Sequence, residues 1–299
     1  MLNRLYVAVV LAITLLGSSA TNIVMTNDDG WATAQIRAEY AALKSAGYNV
    51  ILSAPAVNKS GSSSFSTTPS VLTTACEFDT CAAGSPAYGT DASDPNIHYV
   101  NGYPVDAVKY GIKTYAPAAW GSAPALVVSG TNVGSQFFHA LVSGTIGAAC
   151  EAALEGIPSV AFSGASGSEV SYTTLATTTL ASTISANIYS ALAVKFTNAL
   201  LANSGAILPA GITLNVNFAA TTSCTSAASY KFVLTRISSI SFSSDVTTCG
   251  TSRLPTESSA ITKGCVATVS VMDASSKGDV SAANQAIVLA KLSPILSCL

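Results

Sequence analysis

The sequence predicts an α/β fold built on a largely parallel sheet, and three observations carry that expectation. Short apolar runs of strand length, Ile23–Met25, Val50–Leu52, Ala125–Val128 and Ser159–Phe162, alternate with segments of helical period through residue 202. Four small, polar, glycine-bearing segments follow apolar elements in the first half, at 27–30, 58–61, 129–134 and 143–149. No run beyond the first twenty residues is long and apolar enough to span a bilayer. Strands joined through helices pair in parallel with right-handed crossovers, giving a Rossmann-like three-layer α/β/α arrangement.

The elements follow in chain order. Residues 1–20 have the pattern of a secretory signal peptide: a basic Arg4, an apolar core over Leu5–Leu16, and small Ser18 and Ala20 ahead of a cleavage point after Ala20. Residues 21–220 form the expected α/β core. Its first strand, Ile23–Met25, ends in Asn27-Asp28-Asp29-Gly30, and Ile36, Tyr40 and Leu43 then repeat at helical spacing. Gly47 ends that helix, and Val50–Leu52 is the second strand. A second polar loop, Ala54-Pro55-Ala56-Val57-Asn58-Lys59-Ser60-Gly61, follows it. Ser62–Pro95, rich in Ser, Thr, Ala and Gly, reads as an excursion outside the core. Pro104 suits a first helical turn, with Val105, Val108 and Ile112 on one face. Ala125–Val128 runs into a third loop, Ser129–Gly134. Ser143 or Thr145 then caps a helix that starts at Ser143-Gly144-Thr145. Leu175–Leu201 reads as one or two helices and Thr213–Asn217 as a strand. Residues 221–299 form a β-rich C-terminal extension, with strands at Tyr230–Arg236 and Val266–Val271 and a terminal helix over Ser281–Leu292.

Only 28 residues are charged; without Arg4 there are 12 basic against 15 acidic ones. That balance excludes an electrostatic footprint for nucleic acid. Secretion permits disulfides. Of the seven cysteines, Cys150 lies in an apolar helix and reads as a buried thiol. The remaining six allow fifteen pairings. Cys76 and Cys81 are spaced for a local closure, and Cys224, Cys249, Cys265 and Cys298 are left to staple the extension. Asn58-Lys59-Ser60 is a glycosylation sequon, expected to be unused if its loop walls an active site.

The chemistry is read from the loops. In open α/β sheets, ligands bind beyond the carboxyl ends of the strands. Asp28 and Asp29 stand at such an end, and two adjacent carboxylates repel unless a cation lies between them. A hard divalent cation wants oxygen ligands of this kind. Taken alone, the same residues also suit a solvated turn. The helix start at Ser143–Thr145 offers free N–H groups and a positive dipole end to an anion, although an ordinary capped helix has the same sequence.

Together the loops resemble the SurE-type survival-protein nucleotidases, a family of metal-dependent phosphomonoesterases. Asn27-Asp28-Asp29-Gly30 resembles the family's strand-one signature, and Asn58-Lys59-Ser60-Gly61 its Asn-x-Ser-Gly loop. Ser129-Gly130-Thr131-Asn132-Val133-Gly134 is similar to Ser-Gly-x-Asn-x-Gly. Ser143-Gly144-Thr145-Ile146-Gly147-Ala148-Ala149 is similar to Ser-Gly-Thr-Val-Gly-Ala-Ala, and Leu214-Asn215-Val216-Asn217 to the later strand. The resemblance implies one divalent metal, Mg²⁺ or Mn²⁺, on Asp28, Asp29, Ser60 and Asn132. It places phosphate against Asn58, Ser143, Gly144 and Thr145, with water attacking directly. Asp28 and Asp29 are the catalytic candidates, with Asp28 as base. The implied substrate is a nucleoside monophosphate or another small phosphate ester. The departures are Tyr103 where the family has Thr, Thr256-Glu257 where it has Thr-Asp, and loss of a Thr-Pro at Val271-Met272-Asp273. In the family these C-terminal parts help build a homodimer; the departures here leave open whether that dimer forms or disulfides take over its role. The signal peptide, low charge and cysteines resemble a secreted fungal branch described as acid phosphatases.

Other readings fit less well. A serine hydrolase needs Gly-x-Ser-x-Gly with a histidine partner. Only His98 and His139 exist; Gly61-Ser62-Ser63-Ser64-Phe65 lacks the second glycine, and Ser163 in Phe162-Ser163-Gly164 lacks the first. A haloacid-dehalogenase phosphatase needs Asp-x-Asp after strand one, where this chain has Asp-Asp-Gly. The remaining alternative is a secreted binding protein that kept the fold without turnover.

Overall fold

The structure is a computed structural model that describes residues 20–134, 140–240 and 244–299. Residues 1–19 of the expected signal peptide (1–20) and His139 therefore lie outside the described residues. The elements, in chain order, are β1 (Asn22–Thr26), α1 (Ala34–Ser45), β2 (Asn49–Pro55), β3 (Tyr88–Asp91), β4 (Asp94–Val100), α2 (Pro104–Tyr110), α3 (Ala116–Trp120), β5 (Leu126–Val133) and α4 (Gly144–Leu154). The second half contributes β6 (Ser159–Gly164), α5 (Ala181–Leu201), β7 (Ile212–Phe218), β8 (Lys231–Thr235), α6 (Glu257–Ala260), β9 (Val266–Asp273) and α7 (Ala282–Leu292).

The strands form one sheet in the order β3-β4-β2-β1-β5-β6-β7-β9-β8. All pairs are parallel except β3 with β4 and β7 with β9. Alternation along β1 splits the core between the two faces. Ile23 and Met25 pack in the cluster that holds Ile36, Leu43, Leu192 and Phe196 from α1 and α5. Val24 packs with Val108 of α2 and Ala148 and Ala152 of α4. A strand buried on both faces must be apolar at successive positions, which is why Ile23-Val24-Met25 reads as a continuous run. The expected three-layer α/β/α fold is present.

Three local expectations are revised. The excursion over Ser62–Pro95 returns to the sheet: β3 and β4 form an edge hairpin, with β4 parallel to β2. Asp94, Pro95 and Asn96 at the head of β4 carry turn chemistry, which hides the strand in the sequence. The strand β2 also runs on to Pro55. Finally, Ser129–Val133 is not a loop but the end of β5. Ser129 pairs with Ala161 and Asn132 with Ser163, so three steps on β5 oppose two on β6. This is a bulge, which re-aims a side chain without ending the strand.

The C-terminal strands continue the same sheet, because β9 pairs antiparallel to β7 and carries β8 at its outer edge. Disulfides join Cys76 to Cys81, Cys224 to Cys265 and Cys249 to Cys298, while Cys150 is a buried thiol. Beside these, the 1 % exposed Arg236 ion-pairs with Asp245 at 3.1 Å and Asp279 at 3.4 Å. Asp245 also accepts from the Leu254 N–H and the Gln285 amide. Removing one partner of such a buried pair leaves charge uncompensated. Asp245→Ala is therefore expected to lower unfolding free energy by roughly 3–5 kcal/mol in urea titrations, with no comparable loss for the exposed Lys113–Glu155 pair.

Candidate functional site

The sheet order reverses direction at β1, whose neighbours β2 and β5 lead to opposite halves of the sheet. A crevice at such a switch point, beyond the carboxyl ends of the strands, is where open α/β sheets bind ligands. Asn27 closes the turn there, donating to the Gly30 carbonyl at 3.0 Å and accepting the Gly30 N–H at 3.1 Å. That leaves Asp28 and Asp29, both buried, at the floor of the crevice.

All four polar segments converge on this pair. Lys59 N–H donates to the Asp28 carbonyl at 2.7 Å, which seats the 58–61 loop. Val133 N–H donates to Asp29 Oδ2 at 2.8 Å, which seats the end of β5. Gly144 N–H donates to Asp28 Oδ2 at 3.1 Å, and the Thr145 hydroxyl donates to Asp28 Oδ1. Gly144 is required for this approach: a Cβ there would lie 2.7 Å from Ser62 Oγ and 2.9 Å from Asp28 Cβ. Ser143 caps α4, its hydroxyl accepting from Ile146 N–H at 3.1 Å.

Not every sequence-derived site residue meets the others by its side chain. The first N–H groups of α4 all have acceptors, Gly144 and Thr145 in Asp28 and Ile146 in Ser143. Asn58 Oδ1 accepts from Ser60 N–H at 2.6 Å, and the Asn58 amide donates to Glu169 at 2.6 Å. This folds the sequon into its own loop. Ser60 itself is exposed on the rim. Asn132 uses its amide nitrogen on the Gly134 carbonyl at 2.5 Å, so its carbonyl oxygen is the atom available to a cation.

The electrostatics of the crevice are those of uncompensated negative charge. Burial raises the Asp28 carboxyl above its ordinary range, against the pull of its Thr145 and Gly144 bonds. Asp29 is raised further, first by burial and then by the charge of Asp28. Asp29 Oδ1 is buried with no hydrogen-bond partner. Such an orphan oxygen is costly unless something electropositive meets it. Among the described residues no group of three or more His, Cys, Asp and Glu is arranged to hold a metal. Asp28, Asp29 and the Asn132 carbonyl oxygen are all oxygen donors, the chemistry a hard cation takes, and the Ser60 hydroxyl is a further neutral oxygen on the rim.

Sequence reasoning missed two carboxylates that support the crevice. Glu77, in the loop closed by Cys76 and Cys81, packs against Gly30 and accepts the Ala32 N–H at 2.7 Å. Burial pushes it up to about 8. Glu39 of α1 accepts both the N–H and the hydroxyl of Thr131, at 2.8 and 2.6 Å, and so holds the β5 bulge from below. Burial pushes Glu39 up to about 7. A glutamate inside an apolar helix face was the available signal for Glu39; Glu77 had none in its Ser/Thr-rich surroundings. His98, on β4, stacks on Tyr115 at 3.7 Å and shares a 2.9 Å bond with Thr90.

With the geometry established, comparison with known proteins decides the family. Residues 23–224 match the family profile described as "Survival protein SurE". The chain belongs to the SurE family. It is similar to an acid phosphatase of Yarrowia lipolytica, 38% identical over 208 residues, covering 67% of this chain and 57% of the relative. It is also similar to the 5'-nucleotidase SurE of Lawsonia intracellularis, 37% identical over 143 residues, covering 48% of this chain and 50% of the relative. The chain thus spans about half the length of the curated relatives it matches. Its fold is that of the SurE protein from Aquifex aeolicus, with a TM-score of 0.57 at 22% identity over 85% of this chain and 93% of the other. The SurE profile ends at 224, so β8, β9, α7 and two of the disulfide bridges involve residues beyond it.

Buried carboxylates set the pH response of this SurE chain. Glu39 is held up to about 7, as is Glu257, which accepts from Asn215 Nδ2 at 2.8 Å on β7. With both raised above the ordinary 4.5, the folded state binds more protons than the unfolded state between these values. Stability therefore falls as pH rises through that window. His98, lowered to about 4 by burial, works the other way, but only below its ordinary 6.5. Melting scans in EDTA are expected to show Tm falling between about pH 5 and 7, most steeply from 6.5 to 7 where His98 no longer opposes it, with a shallower fall in Glu257→Gln.

Proposed function

We propose that this protein is a secreted, metal-dependent phosphomonoesterase acting on nucleoside monophosphates or other small phosphate esters. The observation that carries the reading is the buried Asp28–Asp29 pair, with Asp29 Oδ1 left without a partner where four loops converge. Asp28, Asp29, Ser60 and Asn132 would hold one Mg²⁺ or Mn²⁺. When bound, the cation supplies Lewis-acid polarisation of the phosphoryl group and acidifies water. The names of the relatives, an acid phosphatase and a 5'-nucleotidase, support hydrolysis of a phosphate ester. Three disulfides and the apolar N-terminal stretch support secretion.

The chain's own residues do the rest. Thr145 and Gly144 orient the Asp28 carboxylate, whose two oxygens accept both backbone N–H groups and the Thr145 hydroxyl. Asp28 is the base. A water oxygen attacks phosphorus in line as its proton passes to the Asp28 carboxylate; the P–O ester bond breaks, and the leaving oxygen takes a proton from solvent to depart as the alcohol. Ser143, Gly144 and Thr145 act on the phosphate through the positive end of the α4 dipole. Asn58 shapes the loop that closes the opposite side.

Phosphate release from 4-nitrophenyl phosphate and nucleoside monophosphates is expected to vanish in EDTA and return with Mg²⁺ or Mn²⁺. Asp29→Asn is expected to lose on the order of a hundredfold or more in activity and to bind Mn²⁺ more weakly by calorimetry. Thr145→Val, which removes only the donor that orients Asp28, is expected to lose roughly 10- to 100-fold. Activity that survives EDTA, or wild-type turnover by Asp29→Asn, would overturn the reading.

A further inference from the structure

We propose that Phe65, braced by Tyr103, is the platform on which a planar leaving group of the ester stacks. This rests on the hydrolase reading above and adds a specificity element to the same crevice. Single exposed aromatics are ordinary on protein surfaces. Here the surroundings distinguish this one.

Phe65 is 62% exposed, yet its loop is pinned at both ends. Lys59 N–H bonds the Asp28 carbonyl, Ser62 N–H bonds the Lys59 carbonyl at 3.2 Å, and Phe65 N–H bonds the Ser62 carbonyl at 2.9 Å. On the far side, Asp106 of α2 accepts from the Ser66 hydroxyl at 2.5 Å and from Thr67 N–H at 3.0 Å. The same carboxylate accepts Tyr103 N–H at 2.8 Å. One buried side chain thus fixes the backbone next to both rings.

The rings meet edge to face, with centroids 5.9 Å apart and planes at 69°. Lys59 Nζ lies 5.7 Å from the Tyr103 centroid and covers that ring. Tyr103 therefore serves as a brace, and the open ring is that of Phe65. Pro104, the next residue, packs 3.0 Å from where a Gly144 Cβ would stand, so the brace borders the α4 N-terminus. With the phosphoryl group anchored at Asp28 and α4, the group that reaches this rim is the ester's leaving group. A pinned ring with an open π-face holds a flat group and does not read hydrogen-bond patterns, so nucleobases and simple aryl groups are equivalent to it.

The test compares kcat/KM for adenosine monophosphate and for ribose 5-phosphate, which lacks the base. In Phe65→Ala and Tyr103→Thr the ratio is expected to fall about tenfold, the loss of one stacking face, carried by KM. In Phe65→Tyr, which keeps the ring, it is expected to hold. An unchanged ratio in Phe65→Ala, or a parallel fall on both substrates, overturns the proposal. Calorimetric titration with adenosine, which needs no turnover, separates this from the hydrolase reading. If the wild type hydrolyses no ester, that reading fails. Adenosine binding weakened about tenfold by Phe65→Ala would then still support the platform, and binding that is unaltered or absent would refute it.

Discussion

Two buried carboxylates side by side are the constraint on which the rest of this structure depends. Asp28 and Asp29 sit at the end of a strand whose every side chain beyond Asn22 is sealed from solvent. Burial and mutual repulsion both disfavour their charged forms. The fold answers with donors brought from every neighbouring segment: Val133 N–H to Asp29, and Gly144 N–H and the Thr145 hydroxyl to Asp28. One oxygen, Asp29 Oδ1, is left over. That unpartnered oxygen, beside a second buried carboxylate, is what the proposed cation would meet.

The supporting shell follows from that need. Holding Val133 against Asp29 requires the β5 bulge, and the bulge exposes the Thr131 N–H to the interior, where Glu39 meets it. Holding the Asp28 loop in place requires contacts from above, supplied by Glu77 on Ala32 and by Lys59 on the Asp28 carbonyl. The Cys76–Cys81 bridge anchors the strand-poor segment that presents Glu77. Carboxylates supporting carboxylates is an arrangement that favours acidic conditions, because each added proton relieves burial of charge.

Family membership and local departures have different weight. The SurE match ends at residue 224, yet the sheet continues through β9 and β8 with no break in pairing. Asn215, inside the match, bonds Glu257, outside it, so the two parts share a buried contact. Arg236 with its two aspartates and the bridges Cys224–Cys265 and Cys249–Cys298 consolidate this half. At the rim, Tyr103 in place of threonine adds a ring where the family pattern has a small side chain.

By itself the sequence determined the layered α/β class, since strands buried on both faces must be apolar at consecutive positions, as Ile23-Val24-Met25 is. It also determined which short segments were candidates for the site, because Asp-Asp-Gly, Asn-x-Ser-Gly and Ser-Gly-Thr, each ordinary alone, occur together in one order. Only the tertiary structure decided what these segments do to one another. The donors at the α4 N-terminus, which looked free for an anion, are taken by Asp28 because the β1 turn and α4 meet there. The edge hairpin β3–β4 was hidden, since half-exposed strands carry turn residues and little periodicity. Glu39, Glu77 and Asp106 were invisible as site residues because their roles come from partners 92, 45 and 40 positions away. Local pattern records which face a residue buries, but a carboxylate's partner across the fold leaves no periodic trace in the chain.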